Sequence, residues 1–387
     1  MNSRAWAEID VDAIISNIKE IRRITKPEAR IMAVVKADAY GHGVVECSEI
    51  LLKNGADVLA VACCDEAVQL RAHGIMAPIL ILGASFEEEI EDIVDNDIIV
   101  SVFDYEFAKK ISTCAKTKNK TAIIHIKIDT GMTRIGYVAG VHDDEITDEI
   151  IKISQLDNIK IEGIFSHLST ADEKNKDYTH LQFNRFIKVC DLLEKKGLII
   201  PIKHIANSAA IMMYPEMHLD MVRAGIILYG FYPSEDVDKS RINLKKVMTV
   251  KAKITRITEI CDNRGVSYGK TYITDGKTKV ATVPIGYADG YTRMLSGKAQ
   301  ILVNHQPVKV IGRICMDQCM IDVTNVHNIN TGDEVIIFGA DTVTADTLAS
   351  YMGTINYEII CMISKRIPRI YKSNGRTVNT LNYLCRL

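Results

Sequence analysis

The sequence carries little net charge and has no basic stripe. Its 47 Lys and Arg residues nearly balance 49 Asp and Glu residues, which leaves a formal net charge of −2 over 387 residues. A chain without clustered positive charge has no electrostatic surface for nucleic acid and no polybasic patch for a membrane. We therefore expect its partners to be small molecules or a second copy of the same chain.

Long apolar runs are also absent. Residues 1–20, MNSRAWAEIDVDAIISNIKE, lack the uninterrupted apolar segment of a signal peptide. No later run approaches the roughly 20 apolar residues that a transmembrane helix needs. We therefore expect a cytoplasmic protein that does not use a membrane.

The ten cysteines do not form a metal or disulfide pattern. None belongs to a C-x-x-C pair, and most lie in apolar stretches such as VACCDEA and EIICMIS. The segment CMDQC has no His or Cys pair to complete a metal site. The pattern predicts reduced, mostly buried thiols and no bound metal.

The length of the chain predicts two domains, because a single core seldom keeps growing to this size. In residues 1–240, short β-branched runs alternate with helical segments such as DYEFAKKISTCAKT and THLQFNRFIKVCDLLEKKG. Apolar strands that alternate with helices are typical of parallel strands buried on both faces. Eight such runs are present: IMAVVK, DVLAVAC, PILILG, IIVSVF, AIIHIKID, IKIEGIFSH, IKHIANS and LDMVRAGIILYG.

Two folds compete for this α/β pattern, a closed (β/α)8 barrel of the TIM type and an open doubly wound sheet. Eight units in about 240 residues match the size of a barrel. An open dinucleotide-binding sheet would begin with G-x-G-x-x-G, whereas the first unit reads GHGVVE. We therefore predict a barrel for residues 1–240.

Residues 241–387 have a different pattern of apolar and polar residues. Apolar and polar residues alternate between turn signals in VMTVKAKITRITEI, TKVATVPIGY, AQILVNHQPVKVIG and GDEVIIFG. This alternation predicts antiparallel strands. We expect a mainly-β C-terminal domain interrupted by one helix near TADTLASYMG.

Polar side chains follow the apolar runs, where a barrel gathers its functional residues. A lysine pressed against apolar walls, such as Lys36, loses hydration, which lowers its pKa and suits Schiff-base chemistry. Together with nearby cations and a Gly-containing turn, such a lysine favours an anionic ligand that carries a carbonyl group. Pyridoxal phosphate has both properties. The other strand ends supply Lys127, Asp129, Arg134, His167, Asn207, Ser208, Arg223 and Gly225.

Each of these residues also has a purely structural explanation. Lys36 could rest its stem on the core with its ammonium group in water. Arg223 could form an ion pair at a strand end, and His167 could be a hydrogen-bonded residue near the rim. Only the combination points to a cofactor site.

The segment AVVKADAYGHG, residues 33–43, resembles the cofactor-lysine signature of the bacterial alanine racemases. The similarity continues in the same order from end to end of the chain, which leaves little room for chance. The further matching segments are IKIDTGMTRIGY, GIFSHLSTADE, ANSAA, VRAGIILYG, VSYGKTY, VPIGYADGY, GRICMDQ and TINYEI.

This resemblance implies pyridoxal 5'-phosphate held covalently by Lys36. It also implies that Arg223 faces the pyridine nitrogen, with His167 in support. A guanidinium does not readily give up a proton, so the ring nitrogen would stay unprotonated and the ring would be a weaker electron sink. The groups implied to hold the phosphate are Tyr40, Ser208, the backbone of Gly225 and Ile226, and Tyr357.

Racemisation needs a base on each face of the α-carbon. The resemblance implies Lys36 for one face and Tyr268 for the other, with His167 as the neighbour that lowers the tyrosine pKa. Tyr268 lies in the C-terminal domain, and in the family it reaches the active site of the neighbouring subunit. A homodimer is therefore expected.

The remaining implied residues surround the substrate. Arg134 and the backbone N–H of Met316 are expected to meet its carboxylate, while Lys127 is the position that family members often carbamylate. A carbamate there would hold Arg134. Tyr287, Arg313 and Asp317 are expected at the entrance or beside these groups.

The resemblance implies interconversion of L- and D-alanine, with D-alanine supplied for peptidoglycan. Two alternatives stay open at this stage. One is a racemase of the same fold that acts on serine, lysine or another amino acid. The other is a non-catalytic pyridoxal-phosphate-binding protein, although such a carrier has no use for Tyr268 or Met316.

Overall fold

The structure, a computed structural model, describes residues 3–385. Its chain separates into two compact units. The barrel unit comprises Ile14–Ala39 and Val44–Lys245, and the β unit comprises the residues up to Ala13, Tyr40–Gly43 and the residues from Lys246 onward. The predicted division after residue 240 differs from these units in the two short N-terminal segments, because the first strand pairs with strands of the β unit.

All eight predicted strands of the first half are present. The strands up to residue 245 are β1 (Ala5–Asp10), β2 (Arg30–Val34), β3 (Val58–Val61), β4 (Ile79–Ile81), β5 (Ile99–Val102), β6 (Ala122–Asp129), β7 (Tyr137–Val138), β8 (Ile159–Phe165), β9 (Ile202–His204) and β10 (Met221–Ala224).

Eight of these strands form one parallel sheet in the order β10-β2-β3-β4-β5-β6-β8-β9, β7 pairs with β6 beside it, and β1 belongs to the sheet of the second half. The two ends of the parallel sheet meet, since Asp220 N donates to Lys203 O at 3.1 Å and Arg223 N donates to Ala206 O at 3.0 Å. The sheet therefore curls into a nearly closed barrel, and the prediction of an eight-stranded barrel is confirmed.

Helices follow most of the strands. Asp104 caps one of them by accepting a hydrogen bond from Phe107 N at 2.7 Å, and Gly197, with a φ of +89°, follows the end of another. The helices of this half are α1 (Val11–Ile24), α2 (Lys36–Gly41), α3 (Val44–Lys53), α4 (Cys64–Ala72), α5 (Ile90–Asp95), α6 (Tyr105–Thr117), α7 (Asp143–Ser154), α8 (Asp177–Lys195) and α9 (Ser208–Met213).

The second half is built mainly from β-strands, as predicted. Its strands are β11 (Met248–Lys253), β12 (Arg256–Ile260), β13 (Gly265–Val266), β14 (Tyr272–Ile273), β15 (Thr278–Val283), β16 (Gln300–Val303), β17 (Gln306–Ile311), β18 (Cys319–Asp322), β19 (Glu334–Phe338), β20 (Arg369–Ser373) and β21 (Arg376–Leu381).

A ten-stranded sheet in the order β12-β15-β18-β17-β16-β19-β11-β1-β20-β21 organises the β unit. The N-terminal strand β1 lies antiparallel to β11 and parallel to β20. The expected helix near TADTLASYMG is α10 (Ala345–Met352), but a second helix, α11 (Asn356–Cys361), follows it. The expectation of a single helix was wrong, because α11 is too short to show a clear helical period.

The cysteines correct one expectation. None of the ten, which all lie within residues 3–385, forms a disulfide bond, but only Cys47, Cys64, Cys190 and Cys319 are buried. Apolar neighbours in the sequence did not guarantee burial, because a residue such as Cys361 lies on the exposed side of its short helix. Across residues 3–385, no helix is long and apolar enough to cross a membrane.

A buried carboxylate anchors the start of the chain in the β unit. Asp289 is fully buried and accepts hydrogen bonds from both terminal nitrogens of Arg4, at 2.6 and 3.0 Å, and from Gly286 N at 3.1 Å. We expect Asp289→Ala to lower the free energy of unfolding by about 2–3 kcal/mol, because it strands a partly buried guanidinium and a buried N–H. Chemical denaturation measures this loss, and Asp341→Ala, which removes a fully exposed partner of Lys246, is the control. Equal effects of the two substitutions would contradict the prediction.

Candidate active site

A cavity of about 290 Å³ opens at the carboxyl ends of the barrel strands. Five basic side chains line it, and none of the lining side chains is acidic. A buried concentration of donors and positive charge favours an anionic ligand. The lining residues are Lys36, Ala62, Leu82, Gly83, Ala84, Lys127, Arg134, Ile135, Phe165, His167 and Arg223.

Lys36 stands just beyond β2, at the start of an unusual turn. The four residues from Ala37 to Tyr40 all have positive φ angles, between 53° and 56°. Residues other than glycine adopt this left-handed conformation at a cost of about 1–2 kcal/mol each, so the surroundings must stabilise it. The stretch that follows the lysine is therefore held in a strained, specific shape.

Glu66, which sequence analysis missed, fastens the residue after Lys36. Its carboxylate accepts hydrogen bonds from Ala37 N at 2.6 Å and from Ala62 N at 2.7 Å. Asp38 adds a third support, because its Oδ1 accepts from Val44 N at 2.9 Å. Carboxylates on backbone N–H groups form strong, charge-assisted hydrogen bonds, so the ends of β2 and β3 are tied together beside Lys36.

Arg223 is buried in the floor of the cavity, and no carboxylate within residues 3–385 pairs with it. One terminal nitrogen donates to His204 Nδ1 at 3.0 Å and to His204 O at 3.2 Å. The other donates to Ser166 O at 2.7 Å, Ile205 O at 3.0 Å and His167 Nδ1 at 3.2 Å. Burial, with the charge of Arg134 adding to it, lowers the pKa of Arg223 to about 9.

Both histidines beside Arg223 are neutral. Burial and the Arg223 charge hold the pKa values of His167 and His204 well below the ordinary range. Because an arginine can only donate, the Nδ1 atoms that face it must be acceptors, and each neutral ring carries its hydrogen on Nε2. His167 thus offers an N–H to its surroundings at the cavity wall.

Lys127 lies in the same cavity with an unusually low proton affinity. Burial, together with the charges of Arg223 and Arg134 and against the opposing charge of Asp129, lowers its pKa to about 7. Its Nζ donates to Ile128 O at 2.9 Å and lies 5.1 Å from the centre of the Phe165 ring. Near neutral pH this amine is therefore partly deprotonated and nucleophilic.

Asp129 shapes the loop that carries Arg134. Its carboxylate accepts backbone hydrogen bonds from Gly131, Thr133 and Arg134 at 2.8, 3.1 and 3.1 Å. Burial acts to raise the pKa of Asp129, but these three bonds and the Lys127 charge hold it below its ordinary value. The carboxylate is ionised and fixes the loop.

The segments that follow the carboxyl ends of β9 and β10 contact each other. Ser208 Oγ accepts a hydrogen bond from Gly225 N at 3.0 Å, and Ile226 begins the helical turn that follows. Asn207 caps α9 by accepting from Ala210 N at 3.0 Å and donates to Leu168 O at 3.2 Å. The predicted residues Ser208, Gly225 and Ile226 are therefore brought together.

The predicted residues of the β unit form two groups. The rings of Tyr40 and Tyr357 lie 6.2 Å apart. In the other group, Ser267 Oγ donates to Arg313 O at 2.6 Å, which joins the loop before Tyr268 to the loop of Arg313. Three large side chains of that second group remain substantially exposed: Tyr268 (67%), Met316 (53%) and Tyr287 (43%).

Backbone hydrogen bonds complete the second group. Tyr287 N donates to Cys315 O at 3.1 Å, and Ala288 N donates to Met316 O at 3.0 Å. Asp317 accepts a hydrogen bond from Arg366 at 2.9 Å. The loops of Tyr287, Met316 and Asp317 are thus fastened side by side.

Three residues under the cavity were not predicted, namely His125, Glu162 and His204. His125 and His204 are buried in β6 and β9. A histidine between two apolar residues, as His125 is between Ile124 and Ile126, was the available signal, since a buried polar group requires a partner. Among the described residues, no group of His, Cys, Asp and Glu side chains could hold a metal ion.

Comparisons with known proteins agree across the whole chain. Residues 9–233 match the family model of the alanine racemase N-terminal domain, and residues 247–371 match that of the C-terminal domain. Alanine racemase 1 of Clostridium acetobutylicum is 51% identical over 382 residues, which cover 98% of each chain.

Solved structures give the same result. An alanine racemase of Clostridium difficile 630 has a TM-score of 0.97 and 46% identity, covering 99% of this chain and 100% of that one. A complex of that enzyme with cycloserine has a TM-score of 0.94 and 44% identity, covering 99% of this chain and 100% of that one. The chain therefore belongs to the alanine racemase family, whose members interconvert L-alanine and D-alanine.

Proposed function

We propose that the barrel cavity binds pyridoxal 5'-phosphate, attached to Lys36, and that the chain uses it to racemise alanine with two bases. The observation that carries the proposal is the convergence of five basic side chains on one cavity, with Lys36 among them. An anionic cofactor whose aldehyde reacts with an amine fits this donor set. When bound, the cofactor supplies an electron-withdrawing ring that makes the α-proton of alanine acidic.

The phosphate group is assigned to the carboxyl ends of β9 and β10. Ser208 Oγ and the backbone N–H groups of Gly225 and Ile226 are the proposed donors. Gly225 N and Ser208 Oγ already face each other at 3.0 Å, so both lie close enough to share one phosphate. By similarity, Tyr40 and Tyr357 add two hydroxyl groups. Uncharged donors at the end of a barrel are a common phosphate site.

Arg223 is assigned to the pyridine nitrogen. Both of its terminal nitrogens donate to protein acceptors, which leaves the Nε–H for a ligand. At neutral pH a guanidinium with a pKa of about 9 keeps its proton, so it donates a hydrogen bond without protonating the ring. His167 supports this orientation through its Nδ1.

The two bases are assigned to Lys36 and Tyr268. The Lys36 amine holds or returns the proton on one face of the α-carbon, and the Tyr268 hydroxyl of the partner subunit does so on the other. The exposure of Tyr268 and Met316 supports a homodimer, because large apolar side chains at an interface are covered by the partner. Arg134 and the Met316 N–H bind the substrate carboxylate, and Tyr287, Arg313 and Asp317 lie toward the entrance.

Lys127 is proposed to be carbamylated. Only its neutral amine can attack CO2, and with a pKa of about 7 the neutral fraction increases as the pH rises above 7. We expect ¹³C-bicarbonate to give a carbamate carbon signal that grows between pH 6 and about 8. Lys127→Met should lose the signal, whereas a change of the exposed Lys152 should keep it. A signal that survives Lys127→Met would contradict the assignment.

Cofactor attachment is tested by chemical reduction. The protein is incubated with pyridoxal phosphate, treated with borohydride, digested and analysed by mass spectrometry. We expect a phosphopyridoxyl group on Lys36 and formation of D-alanine from L-alanine by the untreated protein. Attachment without D-amino acid formation from L-alanine, L-serine or L-lysine would favour a carrier. The cytoplasmic location and the supply of D-alanine to peptidoglycan remain predictions from sequence and family.

A further inference from the structure

Four polar side chains form a chain of contacts inside the barrel that begins at Arg223. Arg223 donates to His204 Nδ1 at 3.0 Å, and His204 Nε2 lies 2.9 Å from His125 Nδ1. His125 Nε2 in turn lies 3.5 Å from Glu162 Oε2, which is the longest link. We infer that Glu162 is a positioning residue: through His125 and His204 it fixes the hydrogen bonds that hold the Arg223 guanidinium at the cavity.

The direction of every hydrogen bond follows from the arginine. A guanidinium only donates, so His204 Nδ1 accepts and the neutral ring carries its hydrogen on Nε2. That hydrogen is donated to His125 Nδ1, so the hydrogen of His125 must also lie on Nε2. That hydrogen faces Glu162 Oε2 across 3.5 Å, a contact too long for a well-formed hydrogen bond, so the carboxylate acts on it through its charge.

The charges agree with this direction. Burial lowers the pKa of His125, although Glu162 opposes the shift, so the ring is neutral. The contact with His125 lowers the pKa of Glu162, whose side chain is 22% exposed and lies 3.7 Å from Lys160. The carboxylate is therefore ionised. Its partial contact with water reduces the desolvation cost of placing this charge below the cavity.

Local backbone structure makes room for the chain. The pairing of β6 and β8 shifts register at Ile124 and His125, so Glu162 is the extra residue of a β-bulge. A bulge re-aims a side chain, which explains why the carboxylate meets the buried ring. At Gly163 a Cβ atom would lie 2.5 Å from atoms of the His125 ring, so the ring occupies space that only glycine leaves open.

Phe165 fixes the second ring. It stacks on His204 with ring centres 4.8 Å apart and planes inclined by 4°. The same aromatic ring lies 5.5 Å from the Arg223 guanidinium carbon. Phe165 therefore packs against both His204 and Arg223. The orientation of Arg223 depends on aromatic rings that cannot turn freely.

The series of contacts from Arg223 to Glu162 is tested first by ¹⁵N NMR of histidine-labelled protein. The variants His125→Gln and His204→Gln assign the signals of two of the ten histidines. The two nitrogens of a neutral imidazole differ widely in chemical shift according to which one carries the hydrogen. We expect hydrogen on Nε2 in both residues. Hydrogen on Nδ1 of either residue would overturn the inference.

Two substitutions of Glu162 separate positioning from general stability. Glu162→Gln keeps an acceptor oxygen, so the His125 Nε2–H should stay protected from exchange and kcat should stay within about threefold. Glu162→Met has a similar size but no acceptor, and the ring hydrogen should exchange freely. We expect it to lower kcat on the order of tenfold with KM little changed, as outer-shell partners of histidines do.

Glu194→Met is the matched control. Glu194 pairs with Lys203 on β9, the strand that carries His204, but does not contact the histidine chain. It should leave kcat and both ring signals unchanged. If Glu162→Met behaves like this control, the positioning role is wrong.

The inference rests on the proposed role of Arg223, and the two can fail separately. The NMR experiment needs no turnover. Nε2 hydrogens on both rings in a protein that makes no D-alanine would refute the proposed function. Racemisation by a protein whose His204 carries its hydrogen on Nδ1 would refute only the inferred series of contacts from Arg223 to Glu162.

Discussion

Replacing Lys36 by alanine is expected to abolish racemisation while leaving the fold intact. Under the proposed function, the variant loses both the amine that attaches the cofactor and the base on one face of the α-carbon. General-base removal alone costs about 10²–10⁴-fold, and loss of the covalent link adds to it, so we expect kcat to fall by at least about 10⁴-fold. Lys36 lies beyond the end of β2 and is only partly buried, so the core does not depend on it.

The measurement is the rate of D-alanine formation from L-alanine at saturating pyridoxal phosphate, together with the thermal unfolding midpoint. Lys53→Ala is the control, because Lys53 is an exposed lysine of α3 whose one ion pair in the described part of the chain is with Glu49. It should retain full activity. Residual activity of Lys36→Ala above about a hundredth of wild type would show that another group serves as the base.

Replacing Tyr268 by phenylalanine is expected to have the second largest effect. It removes the hydroxyl and little else, since the side chain is 67% exposed and contributes little to the core of its own chain. We expect racemisation to fall by about 10²–10³-fold, the usual range for loss of an acid–base group. Lys36 would still serve its own face, so one enantiomer should continue to exchange its α-hydrogen with D2O.

Exchange in D2O therefore distinguishes the two-base proposal from a general loss of activity. L-alanine and D-alanine are incubated separately with the variant, and the α-deuterium content is followed by NMR. Tyr351→Phe, in α10, is the control and should racemise at the wild-type rate. Equal loss of exchange from both enantiomers, or unchanged racemisation, would contradict the assignment of Tyr268.

The barrel could be predicted from the sequence because buried parallel strands leave a direct signal. Most of its eight strands are largely apolar on both faces, so they appear as short apolar runs between helical segments. The pairing of β1 with β11 and β20 could not be predicted this way. Those contacts join residues more than 200 positions apart, and no local pattern in Ala5–Asp10 specifies the partner.

In the candidate site, too, some features follow from local sequence patterns and others from contacts between distant residues. Lys36, Lys127, His167 and Arg223 stand at strand ends, and the barrel brings them to one cavity as expected. The left-handed turn after Lys36 was not predictable, because Ala37 and Ala39 give no sign of a positive φ. Its stability comes from surrounding contacts.

Protonation states required the structure as well. Nothing in the sequence indicated that the pKa of Lys127 falls to about 7, because its burial and the nearby arginines appear only in three dimensions. The hydrogen positions on His204 and His125 likewise follow from their contact with Arg223. Chemistry that depends on the sum of several neighbours cannot be assigned from one strand at a time.

The most direct test of the account is subunit mixing, because the proposed active site needs Lys36 from one chain and Tyr268 from its partner. The inactive Lys36→Ala and Tyr268→Phe proteins are unfolded together, refolded with pyridoxal phosphate, and assayed for D-alanine. Random pairing makes half of the dimers mixed, each with one intact site, so the account predicts about a quarter of wild-type activity. If the mixture stays as inactive as its parents, although mixed dimers form, Lys36 and Tyr268 do not act together across the dimer.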